Sequence, residues 1–358
     1  MSHFINYLLY KMKNLPSEMK KLFVLTTITI LCTSCPGFKL PDDDYEFEYE
    51  TIVTEEAVNL EGINSTYDDY NSSLPYSGLS HRFYYSCNHP SRGDHFDIVF
   101  KNLNITYHDR DDVLNVGYGS SEVSKFNQKL LPAINSEYDE LGPLYYFGPD
   151  QNSYFLYANN ENGDYDIKAV MWNKSSFGSY QATEEISEPY FLRKFNSDAD
   201  DLYPTFTADD NEMYFCSNRD VENFNIYKLN VTEDMIQTDS SGDNGQVKAT
   251  IVQELSSAAN DKCPSIYKNI MIFASDRTGG YGGFDLYFSE YINGHWSAPV
   301  NMGEKVNSEF DEYRPIIIQS YQFDGRMIIF SSNRPTGKGG FDLYAARNYE
   351  LPDEAYPN

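Results

Sequence analysis

Basic residues are scarce in this chain. Twenty-seven lysines and arginines face 54 aspartates and glutamates among 358 residues, a net charge of −27. So acidic a chain repels phosphate backbones and anionic headgroups, which excludes a nucleic-acid partner. Long apolar runs are missing as well. The most apolar stretch, Leu22–Leu31, has ten residues, too short to span a bilayer, which takes roughly 20. Cysteines number five. Cys87, Cys216 and Cys263 remain beyond Cys35, an odd count that excludes full pairing, so buried thiols are expected. No Gly-x-Ser-x-Gly elbow is present, which removes the serine-hydrolase reading. His81, His89 and His95 crowd together with Asp94 and Asp97, but at spacings that match no zinc pattern, so a solvated loop is expected there.

What the chain does have is a unit that restarts. An aromatic-Asp/Asn-apolar anchor occurs at Phe96-Asp97-Ile98, Tyr165-Asp166-Ile167, Phe224-Asn225-Ile226, Phe284-Asp285-Leu286 and Phe341-Asp342-Leu343, spaced 69, 59, 60 and 57 residues apart. A second anchor, Asn-Ser-x-x-Asp-acid, runs from Asn64 to Asp69, Asn135 to Glu140, Asn196 to Asp201 and Asn307 to Glu312. A degraded copy spans Ser256 to Asp261. Each unit holds four short alternating segments that read as strands. Asn293-Gly294 and Asp324-Gly325 predict hairpin turns with positive φ. The glycine-rich Thr278–Gly283 joins two strands, so it is a hairpin loop and not a phosphate cradle. Radially repeated four-stranded units predict an all-β fold, a single β-propeller. Five blades are expected, or six if a divergent blade hides in the spacers Leu103–Glu122, Met171–Tyr190 and Val231–Lys248, which otherwise read as outer loops. Val58-Asn59-Leu60 matches Val300-Asn301-Met302, the outer strand of a unit, while the last unit lacks its own. Thr51–Leu60 should therefore complete the final blade and close the ring.

These motifs resemble the TolB-type, WD40-like propeller repeat. The Ser-Asn-Arg, Gly-Gly-Phe-Asp-Leu-Tyr and Pro-Val-Asn-Met-Gly segments are similar to copies in lipoproteins of Bacteroidota, over about residues 51–348. In the first unit Ser86-Cys87-Asn88-His89 replaces Ser-Asn-Arg.

Ahead of the repeats, Lys20 and Lys21 precede the apolar core of a secretory signal, with Met19 as an alternative start. Small residues before Cys35 resemble a lipoprotein signal-peptidase box, which makes Cys35 the lipidated (palmitate-bearing) first residue. The expected organisation is a signal peptide over 1–34, an acidic tether over 35–50 and the propeller over 51–358. Without the leader, 23 basic residues face 53 acidic ones, a net charge of −30.

Two carboxylate sets could carry chemistry. Asp97, Asp166, Asn225, Asp285 and Asp342 occur once per blade, which points to structure: acceptors for turn amides or for the nearby Arg219, Arg277 and Arg334. Asp69, Glu140, Asp201, Asp261 and Glu312 each precede an innermost strand and in a closed ring would converge near one mouth of the channel. There they would raise one another's pKa or hold a hard cation such as calcium. The preferred alternative is that each caps its own turn and faces water. No other cofactor is implied.

The resemblance implies an outer-membrane protein, lipid-anchored on its periplasmic or cell-surface face. Its propeller would serve as a non-catalytic scaffold for an envelope protein, a glycan or peptidoglycan, and not as an enzyme. The alternative is a five-bladed glycoside hydrolase or glycan-binding protein. Hydrolysis would need two unlike carboxylates that break the repeat and reach the channel. The innermost strands, read from Leu144, Pro204, Pro264 and Pro315 onward, offer none.

Overall fold

The computed structural model describes residues 49–74, 80–119, 126–148, 150–173, 185–207, 211–232, 236, 248–319 and 323–352. They all belong to the second of two units into which the chain divides, Phe47–Asn358. The leader, Cys35 and the tether as far as residue 48 lie outside them.

Two short strands come first, β1 (Tyr49–Val53) and β2 (Val58–Asn59). The first blade adds β3 (Asp69–Ser73), β4 (Ser80–Cys87), β5 (Asp97–His108) and β6 (Val113–Gly119). A helix, α1 (Asn127–Ile134), leads into β7 (Glu140–Phe147), β8 (Asn152–Asn159), β9 (Asp166–Asn173) and β10 (Tyr190–Phe191). The third blade is β11 (Asp201–Phe206), β12 (Glu212–Ser217), β13 (Asn225–Asn230) and β14 (Thr250–Ile251). The fourth has β15 (Asp261–Tyr267), β16 (Ile270–Ser275) and β17 (Asp285–Ile292), with β18 (His295–Trp296) and β19 (Val300–Asn301) both paired to β17. The fifth is β20 (Glu312–Ile318), β21 (Arg326–Ser332) and β22 (Asp342–Asn348).

Every blade is an antiparallel meander. The first strands of successive blades touch in a circle, β3 to β7, β11, β15, β20 and back to β3. This is a five-bladed propeller. Its closure has the expected strand and one more. Val58 pairs with Ala345 and Asn59 with Tyr344, so β2 completes the fifth blade. The residues just before it do not continue that strand. Tyr49–Val53 pairs with Val113–Gly119 and becomes a fifth strand of the first blade. The N-terminal stretch, expected as one outer strand, thus serves the two blades on either side of the seam. The spacer Leu103–Glu122 is likewise not a loop: it supplies the end of β5 and all of β6.

Adjacent blades are joined by one exchange of hydrogen bonds, made five times. The carbonyl of the anchor aromatic accepts the first amide of the next inner strand. These bonds are Glu140 to Phe96, Asp201 to Tyr165, Asp261 to Phe224, Glu312 to Phe284 and Asp69 to Phe341, all between 2.6 and 2.8 Å. The aromatic's own amide donates to the side chain just before that strand, at Asp139, Asp200, Asn260, Asp311 and Asp68. At four of the five junctions the asparagine of the second anchor brackets the following apolar residue. Asn64, for example, donates to the Leu343 carbonyl and accepts its amide; Asn135, Asn196 and Asn307 repeat the pattern. Ser256, in the degraded copy, turns instead to the Val252 carbonyl.

Blades come closest where glycine removes a side chain. A β-carbon on Gly339 would collide with the Tyr67 carbonyl at the seam, as one on Gly282 would with the Ser308–Glu309 backbone. Gly339→Ala is therefore expected to lower stability by about 2 kcal/mol in chemical denaturation. An unchanged midpoint would mean that the seam is not packed as described.

Candidate functional site

The five acid residues of the second anchor are the first residues of the inner strands, not residues preceding them, and all five are fully buried. They form no shared ring at the channel mouth, and no water-facing caps either. Each folds back on its own turn, accepting the amide of the serine four residues earlier: Ser65, Ser136, Ser197, Ser257 and Ser308. Among the described residues no group of three His, Cys, Asp or Glu side chains could hold a metal ion. His95 sits 3.8 Å from Asp94 and 4.0 Å from Asp97, while His89 packs edge-on against Tyr67.

In blades three to five the buried acid is neutralised by the arginine of the Ser-Asn/Asp-Arg segment. Arg219 reaches Asp201 at 2.5 Å, Arg277 reaches Asp261 at 2.6 Å and Arg334 reaches Glu312 at 3.0 Å. Each guanidinium also lies over two aromatic rings of its blade, for example Phe273 and Tyr287 beneath Arg277. These arginines were expected to serve the other acid set, and they do not. That set accepts turn donors: Asp285 takes the amides of Tyr281 and Gly282 and the Asn301 side chain, and Asp342 those of Lys338 and Gly339 and the Asn59 side chain. Asp166 accepts from Asn162, Asn225 donates to the Asn223 carbonyl, and Asp97 lies beside His95.

Blades one and two break the rule. His89 and Glu161 stand where the arginine would be. Burial raises the pKa of Asp69 and pushes that of Glu140 up to about 7, with Asp97 across the blade junction adding to the rise at Glu140; it raises Glu312 too, although Arg334 pulls the other way. Asp97 is itself raised by burial. The folded-state pKa of Glu140 lies above its unfolded value, so its contribution to stability is present below about pH 4.5 and is lost as pH rises through 7. The loss is roughly 3 kcal/mol at most. Glu140→Gln should flatten thermal stability between pH 5 and 8. A slope equal to that of the parent protein would show that Glu140 is ionised throughout.

The axis of the propeller is filled by residues that repeat in position but not in kind. Every inner strand shifts register after its second residue. At this bulge the third residue takes a left-handed backbone: Asn71 at φ 56°, Gly142 at 61°, Tyr203 at 58°, Cys263 at 55° and Arg314 at 45°. Four of them directly precede the repeated Pro143, Pro204, Pro264 and Pro315. Five unlike side chains at one register are what sequence reasoning missed, and those aligned prolines were the available signal. The five residues converge. The Tyr203 hydroxyl accepts from Asn71 Nδ2 at 3.3 Å, the Arg314 guanidinium lies 5.3 Å from the Tyr203 ring centre, and a β-carbon on Gly142 would collide with that ring. The contacts from blade three to blades one and five join blades that are not neighbours, and so cross the axis.

One residue earlier, in the first and fifth inner strands, Tyr70 and Tyr313 join the half-buried anchor aromatics in a collar. Tyr70 lies 5.0 Å from Phe341, 5.8 Å from Tyr313 and 6.2 Å from Phe96, and Tyr313 lies 4.6 Å from Phe284. Lys262 Nζ sits 3.9 Å above the Phe224 ring. Cys87, Cys216 and Cys263 are buried free thiols.

No family model matches the chain, and no curated protein does. Solved structures do. An endo-arabinase from Bacteroides thetaiotaomicron is 13% identical, with a TM-score of 0.49 over 84% of this chain and 98% of its own. An α-L-arabinofuranosidase from Podospora anserina, solved with cellotriose, is 12% identical with a TM-score of 0.46 over 83% and 96%. The catalytic domain of an α-L-arabinofuranosidase from Coprinopsis cinerea is 13% identical, with a TM-score of 0.44 over 82% and 94%. At these identities the likeness concerns the fold. These three structures are nevertheless of glycoside hydrolases and not of TolB-type proteins. The assignment to the TolB-type repeat is therefore withdrawn, together with the non-catalytic scaffold and the exclusion of an enzyme that were built on it.

Proposed function

We propose that the propeller binds a glycan at the collar on its axis. The observation that carries this reading is the half-buried set of Tyr70, Phe96, Tyr165, Phe224, Phe284, Tyr313 and Phe341 packed on the axial core. Behind it lie the polar groups Asn71, Tyr203 and Arg314. Flat aromatic faces at the rim with a few convergent polar groups behind them suit a ring-shaped, hydroxylated ligand. Tyr70→Ala and Tyr313→Ala should each weaken binding of a matching oligosaccharide at least tenfold in calorimetric titration while leaving the melting profile cooperative. Equal affinity in both variants would remove the collar from the reading.

Hydrolysis of the bound glycan is the second reading, favoured by one observation. Burial pushes the pKa of Glu140, which interacts with Asp97, up to about 7, and glycosidic cleavage uses a pair of carboxyl groups one of which has a raised pKa. If so, Glu140→Gln should reduce reducing-sugar release by at least a hundredfold on any polysaccharide the parent protein cleaves.

We further propose that the propeller is held at the outer membrane by a lipid on Cys35. The support is the sequence around that residue. Cys35→Ala should move the protein from the membrane to the soluble fraction; persistence in the membrane fraction would refute the anchor.

A further inference from the structure

The axis of the propeller holds a charge without a counter-charge. Arg314 is 2% exposed, and no carboxylate lies within 4 Å of its guanidinium among the described residues. Its Nη1 donates to the Pro264 carbonyl at 3.2 Å, and its Nε has no partner. The chain carries 54 acidic side chains, and three other buried or half-buried arginines of the inner turns each have one. The groups that act on Arg314 electrostatically are the thiols of Cys263 and Cys216 and the phenols of Tyr203 and Tyr70. Burial pushes the Cys263 thiol up to about 11 and raises the Cys216 thiol and the Tyr203 and Tyr70 phenols as well, so none of these supplies a negative charge near neutrality. A guanidinium cannot shed its proton to escape the problem. A buried cation without a partner is among the least favourable arrangements in a protein core.

A second atom nearby is also unsatisfied. Asn71 uses Nδ2 on the Tyr203 hydroxyl and its backbone amide on Ser331 Oγ, but its Oδ1 has no partner. The site therefore offers an unused cationic donor over the ring of Tyr203 and an unused neutral acceptor on the side chain that holds its hydroxyl. Both side chains stand on the strained left-handed bulge of their strands, the position directly beneath the collar residues Tyr70 and Tyr313.

We propose that Arg314, Asn71 and Tyr203 form an axial site for a carboxylate, with Arg314 taking the charge and Asn71 Oδ1 accepting a hydroxyl on the same ligand. The proposal extends the glycan reading by naming an acidic sugar as the fitting class, and a small free hydroxycarboxylate has the same chemistry. Ligand charge replaces the missing counter-ion, and the aromatic collar admits the sugar ring to which it is attached.

The test is thermal melting of the full chain with glucuronate, acetate, chloride or glucose. Both carboxylates should raise the midpoint, by about 5 °C at a hundredfold excess over Kd, with no shift from glucose. A larger effect of glucuronate at equal concentration assigns the carboxylate to a sugar, and equal effects assign it to a small free acid; either supports the site. Arg314→Gln should abolish the shift. Because that variant could misfold, Asn71→Asp provides a second arm: it places an internal carboxylate at the hydroxyl of the tyrosine whose ring Arg314 lies over, so it should raise the midpoint by itself and cancel the response to added carboxylate. No shift with either carboxylate, a shift that survives in both variants, or an equal shift with chloride would overturn the proposal. Neutral oligosaccharide that still binds at the collar in the absence of any carboxylate response would sink this inference alone and leave the glycan reading standing.

Discussion

The molecule depends on a pair of hydrogen bonds between neighbouring blades. One aromatic residue per blade gives its carbonyl to the first amide of the next inner strand and its amide to the side chain just before that strand. The first bond is short and runs from backbone to backbone, the second from backbone to side chain, and together they occupy groups at the strand ends that would otherwise have nothing to pair with. The exchange therefore satisfies the ends of the sheets while it fixes the angle between them. It also explains the chemistry of the anchor. The side chain before the strand must be an acid or amide, because it accepts from the neighbouring blade. In its own blade it is held by the middle residue of the Ser-Asn-Arg segment, as Asp311 is by Asn333 and Asn260 by Asp276. At the seam Asp68 and Phe341 make the same exchange, with β1 and β2 bracing the blades on either side.

Once this constraint is met in every blade, other positions are free to differ, and the differences gather in two places. The first is the buried acid of each turn. Three blades give it an arginine and two do not, and burial raises the pKa of Asp69, Glu140 and, despite its arginine, Glu312. The second is the left-handed residue of each inner bulge. The bulge is required by the fold and occupied by Asn, Gly, Tyr, Cys and Arg in turn. A backbone conformation that disfavours most side chains is maintained five times, and it brings five different groups to the axis. Repetition builds the frame, and the exceptions to it mark the candidate site.

Much of the frame was legible in the sequence. The anchor spacings read as five blades, and the match of Val58–Leu60 to Val300–Met302 located the closing strand, because strands in equivalent places face equivalent environments. Other features were hidden for physical reasons. Tyr49–Val53 has no counterpart in the other units, so nothing in the repeat announced a fifth strand on the first blade. The acids of the second anchor read as turn residues because they follow Asn-Ser; only the ladder shows that pairing begins on them. Arg219, Arg277 and Arg334 lie close in sequence to both acid sets, and choosing between them takes three-dimensional reach. Reading the inner strands from the prolines onward discarded the residue before each proline, which is where Tyr203, Cys263 and Arg314 stand. The family resemblance rested on motifs that build turns and blade junctions, so it spoke to the frame and not to the activity.

Amide hydrogen exchange at the first residue of each inner strand tests this architecture most directly. If the inter-blade exchange of bonds closes the ring, the amides of Asp69, Glu140, Asp201, Asp261 and Glu312 should exchange together and only on global unfolding. An Asp69 amide that exchanges far faster than the other four would show an open seam, and with it the shared axis, the collar and the axial site would lose their basis.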